Sequence, residues 1–396
     1  MTGPPATWPD RVRARLEGVV ASGRWRAPRE FDARGPAGVL DGTPVVSFAS
    51  NDYLGLSAHP AVVAAAAGAL ERWGAGAGAS RLVTGSRPVH RELEHALADW
   101  KGTAAAICFP TGFAANLAAL SVLGGPDVRV LSDELNHASI IDGCRLSRSQ
   151  LTVYPHGDVG RLSDLLAQTP DGGVPTIVVT DTVFSMDGDV APVEQVAALC
   201  RRHGALLLLD EAHAVLGPHL PAALTADPDL TLVRMGTLSK TLGALGGFLA
   251  GSRDVVDLMV NLARPYIFTT APTPADAAAA LAALGVLRSP EGGALVRRLS
   301  DLVARVAPGA GVDPDGVDAP ASPIIPVVLG SEQQALEGSA ALLAQGIWVP
   351  AIRPPTVPAG TSRLRVTLSA AHTDDQVTRL VDALAPLRSA LLARIP

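Results

Sequence analysis

The chain has 396 residues, of which 48% are hydrophobic and 18% charged, and its formal net charge is -6. That balance suits a soluble globular enzyme of two or three lobes and excludes a disordered chain. No basic block stands out, which argues against nucleic acid or an anionic membrane surface as the main partner.

In chain order, residues 10–22 have the spacing of an amphipathic helix, and an irregular Gly/Pro-rich stretch runs to about residue 44. "VVSFAS" is a short strand candidate. "HRELEHALADW" has helical spacing, "AAAICF" predicts a strand, and "TGFAANLAALSVL" predicts a helix opened by Thr111 and Gly112. "VRVLSD", "TIVVTD" and "ALLLLD" are apolar runs ending in a polar residue, as expected of parallel strands covered on both faces. Strand, loop and helix repeat over about residues 58–260, which predicts an α/β domain with a mostly parallel sheet. Ligands in such domains bind beyond the carboxyl ends of the strands, where Asp133, Asp181, Asp210 and the loop after "LVRMG" fall.

From about residue 275 two helices lead into a proline-rich break, "DAPASPIIPVVLG", that ends in a strand. A helix over "ALEGSAALLAQG", strands over "IWVPAI" and "RLRVTLS", and a closing helix over "TDDQVTRLVDALAPL" complete a smaller α+β lobe. The expected division is an N-terminal segment 1–45, a large domain 46–275 and a small domain 276–396. The long loop "RPPTVPAGTSR" hints at function. No apolar run reaches the ~18 residues of a membrane span. The opening residues lack a signal-peptide apolar core, and Cys108, Cys144 and Cys200 are widely spaced. A cytoplasmic protein with free thiols is therefore expected.

Of 32 basic residues only two are lysines, Lys101 and Lys240. Lys240 sits in "GTLSKTLGALGG", where small residues let a ligand approach the backbone and offer little countercharge. Such a lysine is commonly a surface residue, but a desolvated one is a nucleophile. Lys101, in the last turn of its helix, suits the helix dipole and reads as structural. Upstream, "LLLLDEAHAVLG" ends a buried strand on Asp210, with His213 three residues on. An Asp there also caps a following helix. Together with a lysine beyond the next strand, it matches what pyridoxal 5'-phosphate (PLP) requires: a carboxylate to keep the ring nitrogen protonated and an amine to form the Schiff base. "PTGFAANL" offers a helix start for the phosphate. His137, in "DELNHASIIDG", follows another strand and is either structural or placed over a cofactor ring. No metal site is suggested by the nine histidines.

On these residues the chain resembles the α-oxoamine synthase family of fold-type I PLP-dependent enzymes. The similarity extends over "SFASNDYLGLSAHP", "GASRLVTGSRPVHRELE", "FPTGFAANLA", "VFSMDGDVAPV", "GTLSKTLGALGG", "YIFTTAPTP" and "AIRPPTVPAGTSRLRVTLSAAHT". The last stretch resembles the branch that joins L-alanine to a pimeloyl thioester in biotin synthesis more than branches using other acyl donors or amino acids. Those other branches, of the glycine C-acetyltransferase or 5-aminolevulinate synthase type, are the alternative. A non-catalytic PLP-fold protein is a third reading, disfavoured because Lys240, Asp210, His137 and Arg365 are all present.

The resemblance implies that Lys240 carries PLP and works as base and acid at the substrate Cα, that Asp210 pairs with the ring nitrogen, and that His137 stacks on the ring. It implies that His213 and Ser185 face the phenolic oxygen and that Gly112, Phe113 and Thr237 hold the cofactor, mainly at its phosphate. Thr270 would reach the phosphate of a partner subunit, so a homodimer is implied. Arg365 would bind the amino-acid carboxylate, and Arg24 and Thr356 would contact substrate. Alternation along "TSRLRVTLSAA" puts Arg363 and Arg365 on one face, so the choice of Arg365 rests on the resemblance alone. The thioester would be carried on CoA or on acyl-carrier protein. The chain departs from the family pattern at Ala214, where many relatives have Gly, and in the tract "GAGAGAS".

Overall fold

A computed structural model describes residues 7–168, 173–310 and 322–392. The N-terminal helix Trp8–Ala21 is capped by Thr7 and buries none of its residues. Strands β1 (Phe31–Ala33), β2 (Ala37–Leu40) and β3 (Thr43–Ser47) then form an antiparallel meander.

Seven strands build the central sheet: β4 (Ala105–Phe109), β5 (Arg129–Asp133), β6 (Gln150–Tyr154), β7 (Thr176–Asp181), β8 (Leu206–Asp210), β9 (Leu232–Thr237) and β10 (Gly247–Gly251). Their order is β4-β10-β9-β8-β7-β5-β6, with β10 antiparallel to both neighbours and the other contacts parallel. The apolar runs predict this arrangement because a strand covered on both faces needs no polar alternation. Side chains still alternate between the faces. Ile107, Leu208, Val233, Met235 and Leu249 share one core with the helix Gly112–Leu123. Cys108, Phe248 and Ala250 share another with the helices Pro88–Lys101 and Pro274–Leu287. This parity decides which cavity each strand-end side chain meets.

A third sheet carries β11 (Ile324–Gly330), β13 (Ala351–Ile352) and β14 (Ser362–Thr367), in the order β11-β14-β13. Its core continues into Val46, Phe48 and Tyr53, and the Thr367 amide donates to the Phe48 carbonyl at 2.8 Å. The stretch Val46–Tyr53, expected in the large domain, thus packs against the C-terminal lobe. The single strand expected over "IWVPAI" is instead two pieces. Ile347–Trp348 (β12) pairs in parallel with β3, and Ala351–Ile352 pairs with β14. Pro350 between them has no N–H to continue a ladder, so the chain changes sheets there. Within the proline-rich break, residues 318–321 lie outside the described residues. The loop over residues 353–361 carries neither strand nor helix.

Candidate active site

The carboxyl ends of β4, β5, β7, β8 and β9 converge on a cavity of about 190 Å3. Thr111, after β4, accepts the Ala114 amide at 3.0 Å and starts the helix Gly112–Leu123. Its cap leaves the Gly112 and Phe113 amides without a protein acceptor among the described residues. Gly112 is packed tightly: a methyl at Gly247 on β10 would lie 2.5 Å from the Gly112 Cα. The Thr237 hydroxyl, at the end of β9, donates to the Gly246 carbonyl at 3.0 Å and meets the Ser239 hydroxyl at 2.8 Å. The cavity thus offers a helix N-terminus flanked by two hydroxyls, a setting suited to a phosphate.

Asp210, the buried last residue of β8, shares the parity of Leu208 and so faces the helix Gly112–Leu123. Asn116 donates to its Oδ2 at 2.8 Å, and the Ala212 amide donates to its Oδ1 at 2.9 Å. These bonds fix the carboxylate plane. Asn116 also donates to Ser139 at 2.9 Å, whose hydroxyl meets His137 Nδ1 at 2.7 Å. Asp181 accepts the His137 amide at 2.8 Å, which places that imidazole at the cavity wall. Burial, with the Asp210 charge nearby, pushes the Asp181 carboxyl well above its usual range despite that bond. Burial draws His137 down, although Asp210 pulls it the other way.

Lys240 lines the same cavity. Its Nζ is 2.6 Å from His213 Nε2, and His213 Nδ1 is 2.5 Å from the Tyr53 hydroxyl. Burial pulls the Lys240 ammonium from 10.5 to about 8, against the attraction of Asp210 and Asp181. Burial and the Lys240 and Arg365 charges hold His213 well below the usual histidine range, so the ring is neutral. Tyr53 is pushed up to about 12 by burial, with Arg365 opposing, and stays a phenol.

The two arginines that alternation could not separate have different partners. Arg363 is paired with Asp187 and also donates to the Thr361 carbonyl at 2.9 Å. Arg365 donates to the Ser185 carbonyl at 2.5 Å, to Thr367 at 2.9 Å and to Asn51 Oδ1 at 3.2 Å. Tyr53 also reaches Asn51 Oδ1, at 3.2 Å. Arg365 is thereby tied through Asn51, Tyr53 and His213 to Lys240, whereas Arg363 is held by a carboxylate of its own.

Gly112, Phe113, His137, Ser185, Asp210, His213, Thr237 and Lys240 all line this cavity. Arg24 and Thr356 do not. They line a separate groove of about 170 Å3 beside Arg353. Thr270 is exposed, pairs across an isolated bridge with Ser80 and does not line its own chain's cavity. Sequence reasoning missed Asn51, Tyr53, Asn116, Ser139, Ala212 and Ser239. Position is the available signal for several: Ser239 adjoins Lys240, Asn116 lies one helical turn after Gly112, and Asn51 and Tyr53 stand in the "SNDYLGL" stretch.

The model of the aminotransferase class I and II family matches residues 43–384. The chain belongs to that family. It is 50% identical over 384 residues to the 8-amino-7-oxononanoate synthase of Anaeromyxobacter dehalogenans, covering 95% of each chain. Among solved structures of the family's fold, it is similar to a serine palmitoyltransferase variant from S. paucimobilis with a bound PLP–myriocin aldimine. That likeness has a TM-score of 0.87 at 30% identity, over 97% of this chain and 98% of the other. It is also similar to an 8-amino-7-oxononanoate synthase from Francisella tularensis, with a TM-score of 0.72 at 25% identity over 87% and 98% of the two chains. The fold-type I arrangement and the family resemblance expected from the sequence are borne out by these relatives.

Proposed function

We propose that this chain joins L-alanine to a pimeloyl thioester with loss of carbon dioxide, giving 8-amino-7-oxononanoate and a free thiol, and that it works with PLP as a homodimer. The substrates follow from the product for which the relatives are named. That product is a nine-carbon chain with a carboxylate at one end and a methyl at the other. An amino carbon next to the methyl is what decarboxylated alanine contributes. The remaining seven carbons, ending in a ketone, are the acyl group of a dicarboxylic acid. A thioester on CoA or on acyl-carrier protein meets that need equally.

The observation that carries the reading is that Lys240 and Asp210 line one cavity together with a free helix start. The donor set fits PLP. Lys240 would hold its aldehyde carbon, Asp210 its ring nitrogen, His137 its ring face, and Ser185 and His213 the side of its phenolic oxygen. Gly112, Phe113 and Thr237 would hold the phosphate, joined by Thr270 of a second copy. When bound, PLP supplies an electron-poor ring that accepts electron pairs from bonds at the amino-acid Cα.

The chain's own residues supply orientation and proton movement. Arg365, beside Asn51, holds the alanine carboxylate and so fixes which Cα bond faces the ring. Lys240 takes and returns the Cα proton, a task suited to an amine brought to about 8 by burial. His213 is neutral and held by Tyr53, so it can accept from the Lys240 ammonium. Arg24 and Thr356, which line a groove of their own, would contact substrate.

The test is a mass-spectrometric assay of the purified, PLP-loaded protein with L-alanine and pimeloyl-CoA or pimeloyl-acyl-carrier protein. Free thiol and the nine-carbon amino ketone are expected in equal amounts. Turnover of glycine or serine with other acyl thioesters, and none with alanine and the pimeloyl group, overturns the reading.

A further inference from the structure

Between β7 and the helix Val193–His203, residues 183–190 fold into a tight loop. Val183 and Val190 pair across an isolated bridge at its base. The Phe184 amide donates to the Asp189 carbonyl at 3.0 Å, and the Gly188 amide donates to the Phe184 carbonyl at 2.8 Å. Those bonds leave Ser185, Met186 and Asp187 at the tip, and the tip meets β14. The Ser185 carbonyl accepts from Arg365 Nε at 2.5 Å, and Asp187 pairs with Arg363. Gly188 is pressed against β11, where a methyl would lie 2.2 Å from the Ile324 carbonyl oxygen. One loop thus carries a residue of the reaction cavity, Ser185, and one of the acceptors that hold Arg365.

Each arm of the loop has its own anchor. Phe184, on the outgoing arm, is buried in a core with Leu131, Val193 and Leu209. The returning arm is held by charge. His156, two residues beyond β6, contacts Asp189 Oδ2 through Nε2 at 2.6 Å and Asp133 Oδ1 through Nδ1 at 3.0 Å. Asp133 is buried at the end of β5, and it accepts the Leu135 and Gly157 amides at 2.9 Å each, so it is a fixed post. A ring that donates to both carboxylates must be an imidazolium, because a neutral imidazole has a single N–H. The two carboxylates raise its pKa from 6.5 to about 10, against partial burial. Among the described residues, Asp133 and Asp189 are the charged groups that face the ring, and Phe184 meets it edge-on with ring centres 4.3 Å apart. Tyr154, at the end of β6, faces Asp133 and is kept a phenol by burial. His156 itself does not line the reaction cavity.

We propose that His156 is a positioning residue for the amino-acid carboxylate: clamped as a cation between Asp133 and Asp189, it keeps the 183–190 loop seated on β14, so that the Ser185 carbonyl holds the Arg365 guanidinium in place. The proposal rests on the role given to Arg365 above and deepens it.

The test titrates the cofactor spectrum of the PLP-loaded enzyme with L-alanine in wild type, His156→Gln, Asp189→Asn and Arg365→Lys. His156→Gln, which removes the charge and one donor, is expected to raise the alanine dissociation constant about fivefold at pH 7, part of the worth of a charge-assisted bond. The KM for pimeloyl-CoA at saturating alanine should stay at the wild-type value. Wild-type His156 remains charged until pH nears 10, so the gap between variant and wild type should close toward that pH. Asp189→Asn leaves one carboxylate on the ring, so alanine affinity should weaken in the same direction and fall away at a lower pH than in wild type. Asp189 is half-exposed, and its variant decides the matter where His156→Gln fails to fold. Amide exchange over residues 183–190, followed by peptide mass spectrometry, should quicken in both variants. Unchanged alanine affinity, equal losses for alanine and pimeloyl-CoA, or a gap that is constant with pH overturns the proposal. If Arg365→Lys binds alanine as wild type does, the reading of the carboxylate site fails and the proposal fails with it. If Arg365→Lys weakens alanine binding and His156→Gln does not, the proposal alone fails.

Discussion

Nζ of Lys240 lies 2.6 Å from Nε2 of His213. A neutral imidazole has one donor and one acceptor nitrogen. When Lys240 is an ammonium it donates to Nε2, so Nδ1–H faces the Tyr53 oxygen, and the Tyr53 hydroxyl donates to Asn51. The same Asn51 oxygen accepts from Arg365. One file of hydrogen bonds therefore joins the amine proposed to carry the cofactor to the guanidinium proposed to hold the substrate carboxylate.

Lys240 should titrate far below an ordinary lysine. In the cofactor-free chain, the pH dependence of its arylation, followed by peptide mass spectrometry, is expected to have a midpoint near 8 and not near 10.5. Burial sets that direction. In the PLP-loaded chain, borohydride reduction should fix the cofactor on Lys240 and leave Lys101, paired with Glu211, unlabelled. Labelling at Lys101 would remove Lys240 from its proposed role.

Arg365→Lys should weaken L-alanine binding ten- to a hundredfold, about 1.5–3 kcal/mol, because an ammonium replaces a planar two-pronged donor. Arg363→Lys should leave alanine binding close to wild type, since Asp187 already occupies that guanidinium. Titration of the cofactor spectrum with L-alanine separates the two. The opposite ranking would move the carboxylate site to Arg363.

Gly247→Ala should loosen the cofactor without unfolding the chain. The new methyl meets the Gly112 nitrogen and Cα at 2.5 Å and the Thr111 carbonyl at 2.6 Å, all of them backbone. The start of the helix Gly112–Leu123 must move away from β10, and its free amides move with it. About tenfold weaker PLP retention in equilibrium dialysis is expected, on the scale of one charge-assisted bond. Unchanged retention would show that these amides do not hold the phosphate.

His156 gives the fold a pH dependence of its own. It bridges Asp133 at 3.0 Å and Asp189 at 2.6 Å, and those two bonds raise its pKa from 6.5 to about 10 despite partial burial. A raised folded-state value means that the stabilisation is full below about pH 6.5 and is lost as pH rises toward 10. His156→Gln should destabilise the protein by about 2 kcal/mol at pH 6, with the gap closing near pH 10. Urea unfolding at pH 6, 8 and 10 measures this. A constant gap would show a packing effect only, for instance from the edge contact of His156 with Phe184.

The α/β class, the central strands and the helix after "FPTG" were legible in the sequence because they rest on local periodicity. Buried parallel strands are uniformly apolar, and a Thr–Gly start announces its helix. Lys240 stood out by the rarity of lysine, and Asp210 by closing a run of leucines. Local pattern failed at "IWVPAI", where one proline sends two halves of a run to different sheets.

The sequence by itself determined the kind of chemistry, since an amine, a carboxylate and a helix start, each beyond a strand end, are local facts. Tertiary structure decided the pairings. Alternation put Arg363 and Arg365 on one face, and Asn51 and Tyr53, arriving more than 300 residues upstream, link Arg365 to the Lys240 file. From the sequence Lys101 reads as a helix-end cation, because the spacing that ends its helix says nothing of what covers it. Glu211 and Arg234, brought over it from two strand ends of the sheet, hold it in a buried ion-pair cluster. Charges distant in sequence interact only where the fold removes the water between them, and that removal is a property of packing that no local pattern contains.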